Sequence, residues 1–176
     1  GILAPKILKK LGHHVIEMLC NIDGDFPNHH PDPSQPKNLE GLRKMVAHNQ
    51  ADFGLAFDGD ADRLGVVDSS GEIIWPDRQL IIFVRDLFSR ETGAKVVFDV
   101  KCSRVLKEEV EKRGGVAIIS KTGHSFIKKT MSDFGASLGG EMSGHFFLKE
   151  RWYSFDDAIY SAVRLVEILS RSENSV

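Results

Sequence analysis

This sequence contains few cysteines, has a small net charge and lacks long apolar runs. Its 176 residues include only two cysteines, Cys20 and Cys102, which argues against a disulfide scaffold and for reduced packing residues. The formal net charge of −2 gives no reason to expect a nucleic-acid partner. No apolar run approaches the ~20 residues of a membrane helix, and no signal peptide is visible, so a cytoplasmic location without membrane contact is expected.

The composition that remains, 41% hydrophobic and 27% charged, suits one or two globular domains with real cores. Residues 1–11 carry an apolar stripe at helical spacing, and residues 14–20 are predicted to form a strand. Residues 21–38 are rich in proline and are expected to be a loop. His29 and His30 in this loop are interpreted as structural or interdomain residues, because adjacent residues on an extended chain point apart.

Three carboxylates alternate within residues 58–63, which read Asp-Gly-Asp-Ala-Asp-Arg. Alternate side chains of an extended or tightly looped backbone project to one side, so Asp58, Asp60 and Asp62 can converge on one cation. An oxygen-only ligand set favours Mg²⁺, Ca²⁺ or Mn²⁺ over Zn²⁺. The apolar residues 53–57 predict a buried parallel strand whose carboxyl end leads into this loop, where open α/β sheets place their ligands.

Other interpretations of the acidic stretch have to be weighed against a metal site. A solvated acidic turn is one of them. An EF-hand needs Gly at the sixth loop position and Glu at the twelfth, where this chain has Arg63 and Ser69, so it is excluded. A phosphatase of the Asp-x-Asp type would use Asp58 as its nucleophile, but Ala61 and Asp62 do not supply the hydroxyl that such sites usually place nearby.

A hairpin and then an alternation of strands and helices follow the acidic stretch. The hairpin is predicted around residues 69–71, and the composition changes near Trp75, which divides the chain into predicted domains of residues 1–74 and 75–176. The alternation predicts an α/β fold with mixed, mostly parallel sheets and right-handed crossovers. The second domain is predicted to contain strands at 96–100, 116–120 and 136–139, helix caps at Ser103 and Ser125, and a final helix from Phe155 capped by Ser154 with Asp157.

Polar residues follow each of the three predicted parallel strands, whose carboxyl ends share one edge of the sheet. Glu141 can accept hydrogen bonds from two hydroxyls, Ser143 can donate or accept, and the flanking glycines allow close approach of the backbone. Such groups suit the vicinal hydroxyls of a sugar. The candidate residues at this edge are Lys101, Thr122, Gly123, His124, Glu141 and Ser143.

Two of these motifs resemble one known family. Residues 58–63 resemble the metal loop of the α-D-phosphohexomutases, and residues 140–145, Gly-Glu-Met-Ser-Gly-His, resemble their sugar-recognition loop. The resemblance implies two consecutive three-layer α/β/α domains, equivalent to the central two domains of a four-domain enzyme. Similarity to the bacterial phosphomannomutase/phosphoglucomutase members also includes residues 28–33, 100–102, 121–125 and 149–152.

The resemblance implies reversible phosphoryl transfer between a hexose 1-phosphate and a hexose 6-phosphate, of mannose or glucose. A phosphoserine of the enzyme and a hexose 1,6-bisphosphate would carry the group. Asp58, Asp60 and Asp62 would bind Mg²⁺, and Arg63 would steady the sugar or the transferring group.

The same resemblance assigns roles at the second edge. Lys101 and His124 are candidates for contacting the substrate and for assisting proton transfer. Glu141 and Ser143 would contact the 3- and 4-hydroxyls of the sugar, with Thr122 and Gly123 beside them. His145 is expected only to support the loop.

The family's phosphoserine loop and its terminal phosphate-binding segment are missing from these residues, and no Ser-His dipeptide occurs. The strand that usually precedes the first helix of an α/β unit is missing too, so we expect the chain to begin within a domain. It should therefore need the N- and C-terminal domains of the same enzyme as partners and be inactive, or nearly so, alone. The alternative is a free-standing, metal-dependent sugar-phosphate binding module without catalysis.

Overall fold

The structure, a computed structural model, describes residues 1–171 as two β-sheets with helices packed against them. Within these residues no helix has both the length and the apolar character needed to cross a membrane. In chain order the elements are α1 (Leu3–Lys10), α2 (Pro36–Asn49), β1 (Phe53–Phe57), β2 (Leu64–Asp68), β3 (Ile73–Ile74), α3 (Pro76–Phe88), β4 (Lys95–Asp99), α4 (Arg104–Lys112), β5 (Val116–Ser120), α5 (His124–Phe134), β6 (Leu138–Gly140), β7 (Phe146–Leu148) and α6 (Ala158–Ser170).

The first sheet has the order β1-β2-β3, and both of its pairings are antiparallel. The predicted hairpin between β2 and β3 is confirmed, and Asp68 stabilises its turn by accepting the backbone N–H groups of Ser70 and Glu72 at 2.9 Å each. The prediction that β1 is a parallel strand is wrong. Residues 58–63 are too few for a crossover, so β2 can only return antiparallel to β1.

The strand predicted over residues 14–20 is also wrong, because the structure has no regular element there. A strand is stabilised by hydrogen bonds to a neighbour, and the first sheet contains only β1, β2 and β3. Ile16 and Leu19 of this segment remain exposed. In the described structure this apolar segment therefore has no neighbouring strand to pair with.

The second sheet has the order β5-β4-β6-β7. Its strands β4, β5 and β6 are parallel, as the alternation predicted, and β7 pairs antiparallel with β6 at the edge. The sequence prediction missed β7, which has only three residues and no alternation of polar and apolar side chains. The α/β fold class is thus confirmed, with a mixed sheet in the second unit.

Two predicted helix caps are corrected. Helix α6 begins at Ala158, and Asp157 caps it by accepting the N–H of Tyr160 at 2.8 Å, so Ser154 is not the cap. Helix α5 begins one residue before Ser125, with Gly123 at the capping position and no side-chain cap. Because Gly123 has no side chain, nothing at the capping position separates the first turn of α5 from the loop that follows β6.

One hydrophobic cluster connects the two sheets. Leu64 and Val66 of β2 pack in the same cluster as Leu80 of α3, Phe98 of β4 and Leu165 of α6. Helix α6 also contacts β1 and β2, so it covers the first sheet as well as the second. The division of the chain at residues 74 and 75 stays a prediction.

The two units also join through backbone at Gly144. Its carbonyl accepts the N–H of Leu64 at 3.0 Å, and its φ of +101° lies in the left-handed region. A Cβ at this position would lie 3.0 Å from the carbonyl oxygen of Leu64. Only glycine therefore allows the loop before β7 to lie against the start of β2.

Gly144→Ala is expected to lower the free energy of unfolding by at least about 2 kcal/mol, through backbone strain and the contact with Leu64. Gly93→Ala is the matched control, because Gly93 has a φ of +69° but open space around the position of a Cβ. It should cost only about 1 kcal/mol. Urea unfolding measures both, and equal losses would contradict the proposed steric role of Gly144.

A buried ion-pair group connects α3, α6 and the loop after β7. Arg164, whose side chain is 4% exposed, donates to Asp86 Oδ2 at 2.7 Å and to Glu150 Oε2 at 3.2 Å. Burial alone would raise the pKa of Asp86, but Arg90 and Arg164 hold it below its ordinary value. Asp86 therefore stays charged and depends on its cationic partners.

Arg164→Leu should reduce the free energy of unfolding by about 3 kcal/mol, because it removes the buried cation from Asp86 and Glu150 and leaves both carboxylates with the more exposed Arg90. Arg171→Leu removes an arginine that is 61% exposed just beyond the same helix, and a change within about 0.5 kcal/mol is expected there. Chemical denaturation of the two variants compares them directly. A loss no larger for Arg164→Leu than for Arg171→Leu would show that the buried network adds nothing.

Candidate functional site

The acidic loop folds around the first of its three carboxylates. Asp58, which is 7% exposed, accepts the backbone N–H groups of Asp62 and Arg63 through Oδ1, at 3.0 and 3.1 Å. Its Oδ2 accepts the Arg63 Nε–H at 2.5 Å. Burial alone would raise the pKa of Asp58, but these hydrogen bonds hold it below its ordinary value. Ala61 adopts a left-handed φ of 61°, which tightens the turn.

The predicted metal ligands do converge. Asp58, Asp60 and Asp62 each offer one oxygen, and the three oxygens lie within 4.8 Å of one another. Asp62 Oδ1 is buried without a hydrogen-bond partner. Burial raises the pKa of Asp62 above its ordinary value, and the Asp58 carboxylate raises it further. A buried anionic oxygen without a donor fits a site that takes a hard divalent cation.

Arg63 is held by carboxylates on two loops. In addition to Asp58 it contacts Asp32 Oδ1 through Nη1 at 3.2 Å, and its Nε lies 3.7 Å from Asp62 Oδ1. Asp32 belongs to the proline-rich loop, and sequence reasoning did not identify it as part of the site. Asp32 lies within residues 28–33, which the sequence analysis noted only as resembling the family, and its contact with Arg63 is long-range in the chain.

At the second edge, Asp99 connects the loops that follow three parallel strands. This carboxylate ends β4, is 1% exposed, and accepts from Cys102 Sγ at 3.2 Å, Thr122 Oγ1 at 3.2 Å and the N–H of Met142 at 3.4 Å. Burial and Asp99 raise the pKa of the Cys102 thiol, so it stays protonated. The sequence prediction missed Asp99, which is the polar end of an apolar strand.

Glu141 and Gly123 are brought together as predicted for one sheet edge. The N–H of Gly123 donates to Glu141 Oε1 at 2.5 Å, and the glutamate is only 2% exposed. Burial alone would raise the pKa of Glu141, but His145 and this backbone donor hold it below its ordinary value. The carboxylate is therefore a fixed, charged acceptor at the base of the loop.

His145 joins the acidic loop to the loop of Glu141. Its Nε2 lies 3.2 Å from Asp62 Oδ2, and its Nδ1 lies 3.2 Å from Glu141 Oε2 and 2.8 Å from Ser143 Oγ. Burial lowers the pKa of His145, but the two carboxylates outweigh it and raise the pKa above its ordinary value. His145, which was expected only to support its loop, thus contacts one residue of the predicted metal site, Asp62, and one of the predicted sugar site, Glu141.

His124 lies beside this junction, whereas Lys101 does not reach it. The His124 ring stacks on His145 with centroids 5.9 Å apart, and its Nδ1 lies 3.1 Å from Asp156 Oδ2. Lys128 also contacts Asp156, at 3.1 Å. Lys101 is exposed, and within the described residues its ammonium group has no ion-pair partner. Its place at the edge is as predicted, but its side chain is not held there.

The arrangement combines a site for a cation with a set of hydroxyl-binding groups. The three aspartates of the acidic loop can hold Mg²⁺, and the carboxylate, hydroxyl and backbone groups at the second edge can bind a polyol. The ring nitrogens of His145 lie between them, and the His124 ring stacks on His145. A phosphorylated sugar offers both the anionic charge and the hydroxyls that these groups would bind.

Comparison with known proteins agrees with this geometry. Residues 1–71 match the family model for phosphoglucomutase/phosphomannomutase, α/β/α domain II, and residues 75–176 match the model for domain III. The chain is 57% identical over 175 residues to a phosphomannomutase/phosphoglucomutase of Pseudomonas putida, and 57% identical over 174 residues to a phosphoglucomutase of Neisseria meningitidis. Each alignment covers 99% of this chain and 38% of the relative.

A solved structure gives the same result. The X-ray structure of a phosphoglucomutase/phosphomannomutase family protein from Burkholderia thailandensis superposes with a TM-score of 0.96 and 49% identity, over 99% of this chain and 38% of that chain. The chain therefore spans little more than a third of the length of these proteins. The matched domains and the two sheets described above show that the chain belongs to the phosphoglucomutase/phosphomannomutase family and consists of its α/β/α domains II and III.

Proposed function

We propose that these two domains form the metal-binding and sugar-binding part of a phosphohexomutase site. The reaction is the interconversion of a hexose 1-phosphate and a hexose 6-phosphate, of glucose or mannose. The observation that carries this proposal is the double contact of His145, which joins Asp62 of the acidic loop to Glu141 of the second loop. Metal and sugar groups on one continuous surface suit a substrate that is both phosphorylated and polyhydroxylated.

On the acidic loop, Asp58, Asp60 and Asp62 would hold Mg²⁺, which neutralises charge at a transferring phosphoryl group. Asp58 would contribute a carboxylate oxygen to the cation, and its Oδ2 accepts a hydrogen bond from Arg63. The Arg63 guanidinium carries donors suited to phosphate or sugar oxygens. Arg63 is therefore assigned to the substrate.

On the second edge, Glu141, which accepts from Gly123 through Oε1 and contacts His145 through Oε2, is assigned to two sugar hydroxyls. Ser143 and Thr122 add hydroxyl groups, and Gly123 offers close access to the backbone. These residues orient the hexose, which supplies most of the catalysis in a transfer dominated by positioning.

Proton transfer is assigned to His124, with Lys101 as an exposed cation for the phosphate. Asp156 orients the His124 ring through Nδ1 at 3.1 Å, which leaves Nε2 to exchange a proton with a sugar hydroxyl. The ring is half exposed and therefore accessible to the substrate. The Lys101 side chain is exposed, so a phosphate in solution can approach its ammonium group.

The full reaction also needs a phosphoryl donor. A phosphoserine would exchange its group with the hexose phosphates through a hexose 1,6-bisphosphate. No Ser-His dipeptide of the phosphoserine type occurs in these 176 residues. We therefore propose that the chain alone has little or no mutase activity and that other domains of the same enzyme complete the site in the cytoplasm.

Amide NMR of the chain tests the two halves of the site separately. Mg²⁺ should shift the amide resonance of Gly59, and glucose 1-phosphate should shift the amide resonances of Gly140 and Gly144. Asp60→Asn should weaken the Mg²⁺ response at least about tenfold, since it removes one of three anionic ligands. Asp52→Asn is the control, because it removes the same charge from an exposed position before β1, and it should leave the Mg²⁺ response unchanged. A Mg²⁺ response unchanged in Asp60→Asn would refute the metal assignment.

Mixing the chain with a separately produced phosphoserine domain and C-terminal domain tests catalysis. Recovery of mutase turnover is expected, and Glu141→Gln should reduce the recovered rate at least about a hundredfold by removing a charged acceptor from the sugar. Binding of glucose 1-phosphate without any recovered turnover would favour the non-catalytic module instead.

A further inference from the structure

The shape of the acidic loop depends on one strained residue between two of its aspartates. Ala61, which separates Asp60 from Asp62, has a φ of 61°, in the left-handed region that an L side chain rarely adopts. Its N–H donates to the carbonyl oxygen of Asp58 at 3.3 Å, and the next two N–H groups turn back to Asp58 Oδ1 at 3.0 and 3.1 Å. The left-handed turn at Ala61 therefore returns Asp62 toward Asp58.

A hydrogen bond from the second unit holds this strained residue. A left-handed alanine persists only where surrounding contacts determine its conformation. The carbonyl oxygen of Ala61 accepts the backbone N–H of Ala158 at 3.0 Å. Ala158 is the first residue of α6 and is 1% exposed, so its N–H lies away from water. The acidic loop of the first unit is thus connected to the start of a helix in the second unit.

The start of α6 is fixed by contacts that do not involve the acidic loop. Asp157 caps the helix by accepting the N–H of Tyr160 at 2.8 Å through Oδ1. The carbonyl oxygen of Asp157 accepts the N–H of Ser161 at 2.9 Å and the Ser161 hydroxyl at 2.8 Å. Ala158 itself packs in the hydrophobic cluster that connects the two sheets. The first N–H of α6, which has no partner within its own helix, is therefore a fixed donor to which the acidic loop conforms.

We propose that the N–H of Ala158 positions the acidic loop for cation binding by holding Ala61 in its left-handed conformation. Without this hydrogen bond the alanine relaxes to a negative φ, and Asp62 turns away from the other two aspartates. Ala158 contacts neither the cation nor the sugar, so it is a positioning residue. The inference rests on the proposed function only for its effect on Mg²⁺ affinity, because the conformation of the loop can be measured without a metal ion.

Ala158→Pro removes the donor while keeping the start of the helix. Proline is favoured at the first helical position, and Asp157 before it has an extended backbone, with φ −120° and ψ 100°. The N–H groups of Asp62 and Arg63 should then exchange with deuterium about tenfold faster, because the left-handed turn at Ala61 is lost. Hydrogen–deuterium exchange followed by NMR measures both rates in the metal-free chain.

Two further variants separate positioning from a general loss of structure. Arg104→Pro places proline at the first, exposed position of α4 and should leave exchange in the acidic loop unchanged. Ala61→Gly, added to Ala158→Pro, should return the exchange rates to within about threefold of the unaltered chain, because glycine adopts a positive φ without support. A fold that is merely destabilised would not be rescued by a glycine in the loop.

Asp157→Ala is a second way to loosen the same donor if the proline variant does not fold. It removes the cap of α6, and exchange of Asp62 and Arg63 should become about threefold faster. Unchanged exchange in Asp157→Ala, and in Ala158→Pro where it folds, would overturn the inference. Accelerated exchange that Ala61→Gly does not reduce would overturn it as well.

Titration with Mg²⁺ tests the consequence for the cation site. The Mg²⁺ response of the Gly59 amide resonance should weaken about tenfold in Ala158→Pro and be largely recovered when Ala61→Gly is added. A Gly59 resonance that does not respond in the unaltered chain would contradict the proposed metal site. The exchange rates would still decide the role of Ala158, so the two failures are distinguishable.

Discussion

The contact of one imidazole with two carboxylates determines how the functional loops are arranged. His145 lies between Asp62 and Glu141, which would repel each other without a positive group between them. The histidine is largely buried, so water screens these charges only weakly. The acidic loop of the first unit and the loop after β6 in the second unit are therefore held as one surface, rather than as two sites on neighbouring domains.

The backbone makes this contact possible before any side chain contributes. Glycine at position 144 lets the loop before β7 hydrogen-bond to the start of β2, which brings His145 opposite Arg63 in an isolated antiparallel bridge. On the other side, Asp99 ties the loops that follow β4, β5 and β6 to one buried carboxylate. The strand ends place the loops at one edge, and these polar contacts then fix their separation.

The sequence analysis predicted those features that depend on the local residue pattern and on residues close together in the chain. The alternation of strands and helices from Lys95 onward, the hairpin at residues 69–71 and the convergence of the three aspartates were all predicted, because spacing alone determines them. The strand predicted over residues 14–20 was wrong because a strand depends on a partner that local spacing does not reveal. An apolar pattern cannot show whether a neighbouring strand is present, and a strand without a partner is not stable.

The residues that sequence reasoning missed or undervalued all act over long distances in the chain. Asp32 contacts Arg63, Asp99 contacts Met142, and His145 contacts Asp62. None of these pairs has a short-range signature, since each depends on how two loops meet in the folded chain. Short motifs thus identified which loops carry the chemistry, while the residues that position those loops emerged only from the structure.

Arg63 balances part of the negative charge of the carboxylates around the acidic loop. Its guanidinium contacts Asp58 and Asp32 and lies near Asp62, so it supplies internally part of the positive charge that a metal would provide. Burial lowers the pKa of Arg63, but these anions outweigh it and raise the pKa above its ordinary value, which keeps the group charged. In the proposed function the same guanidinium, whose planar donors suit phosphate oxygens, would link the acidic loop to an anionic substrate.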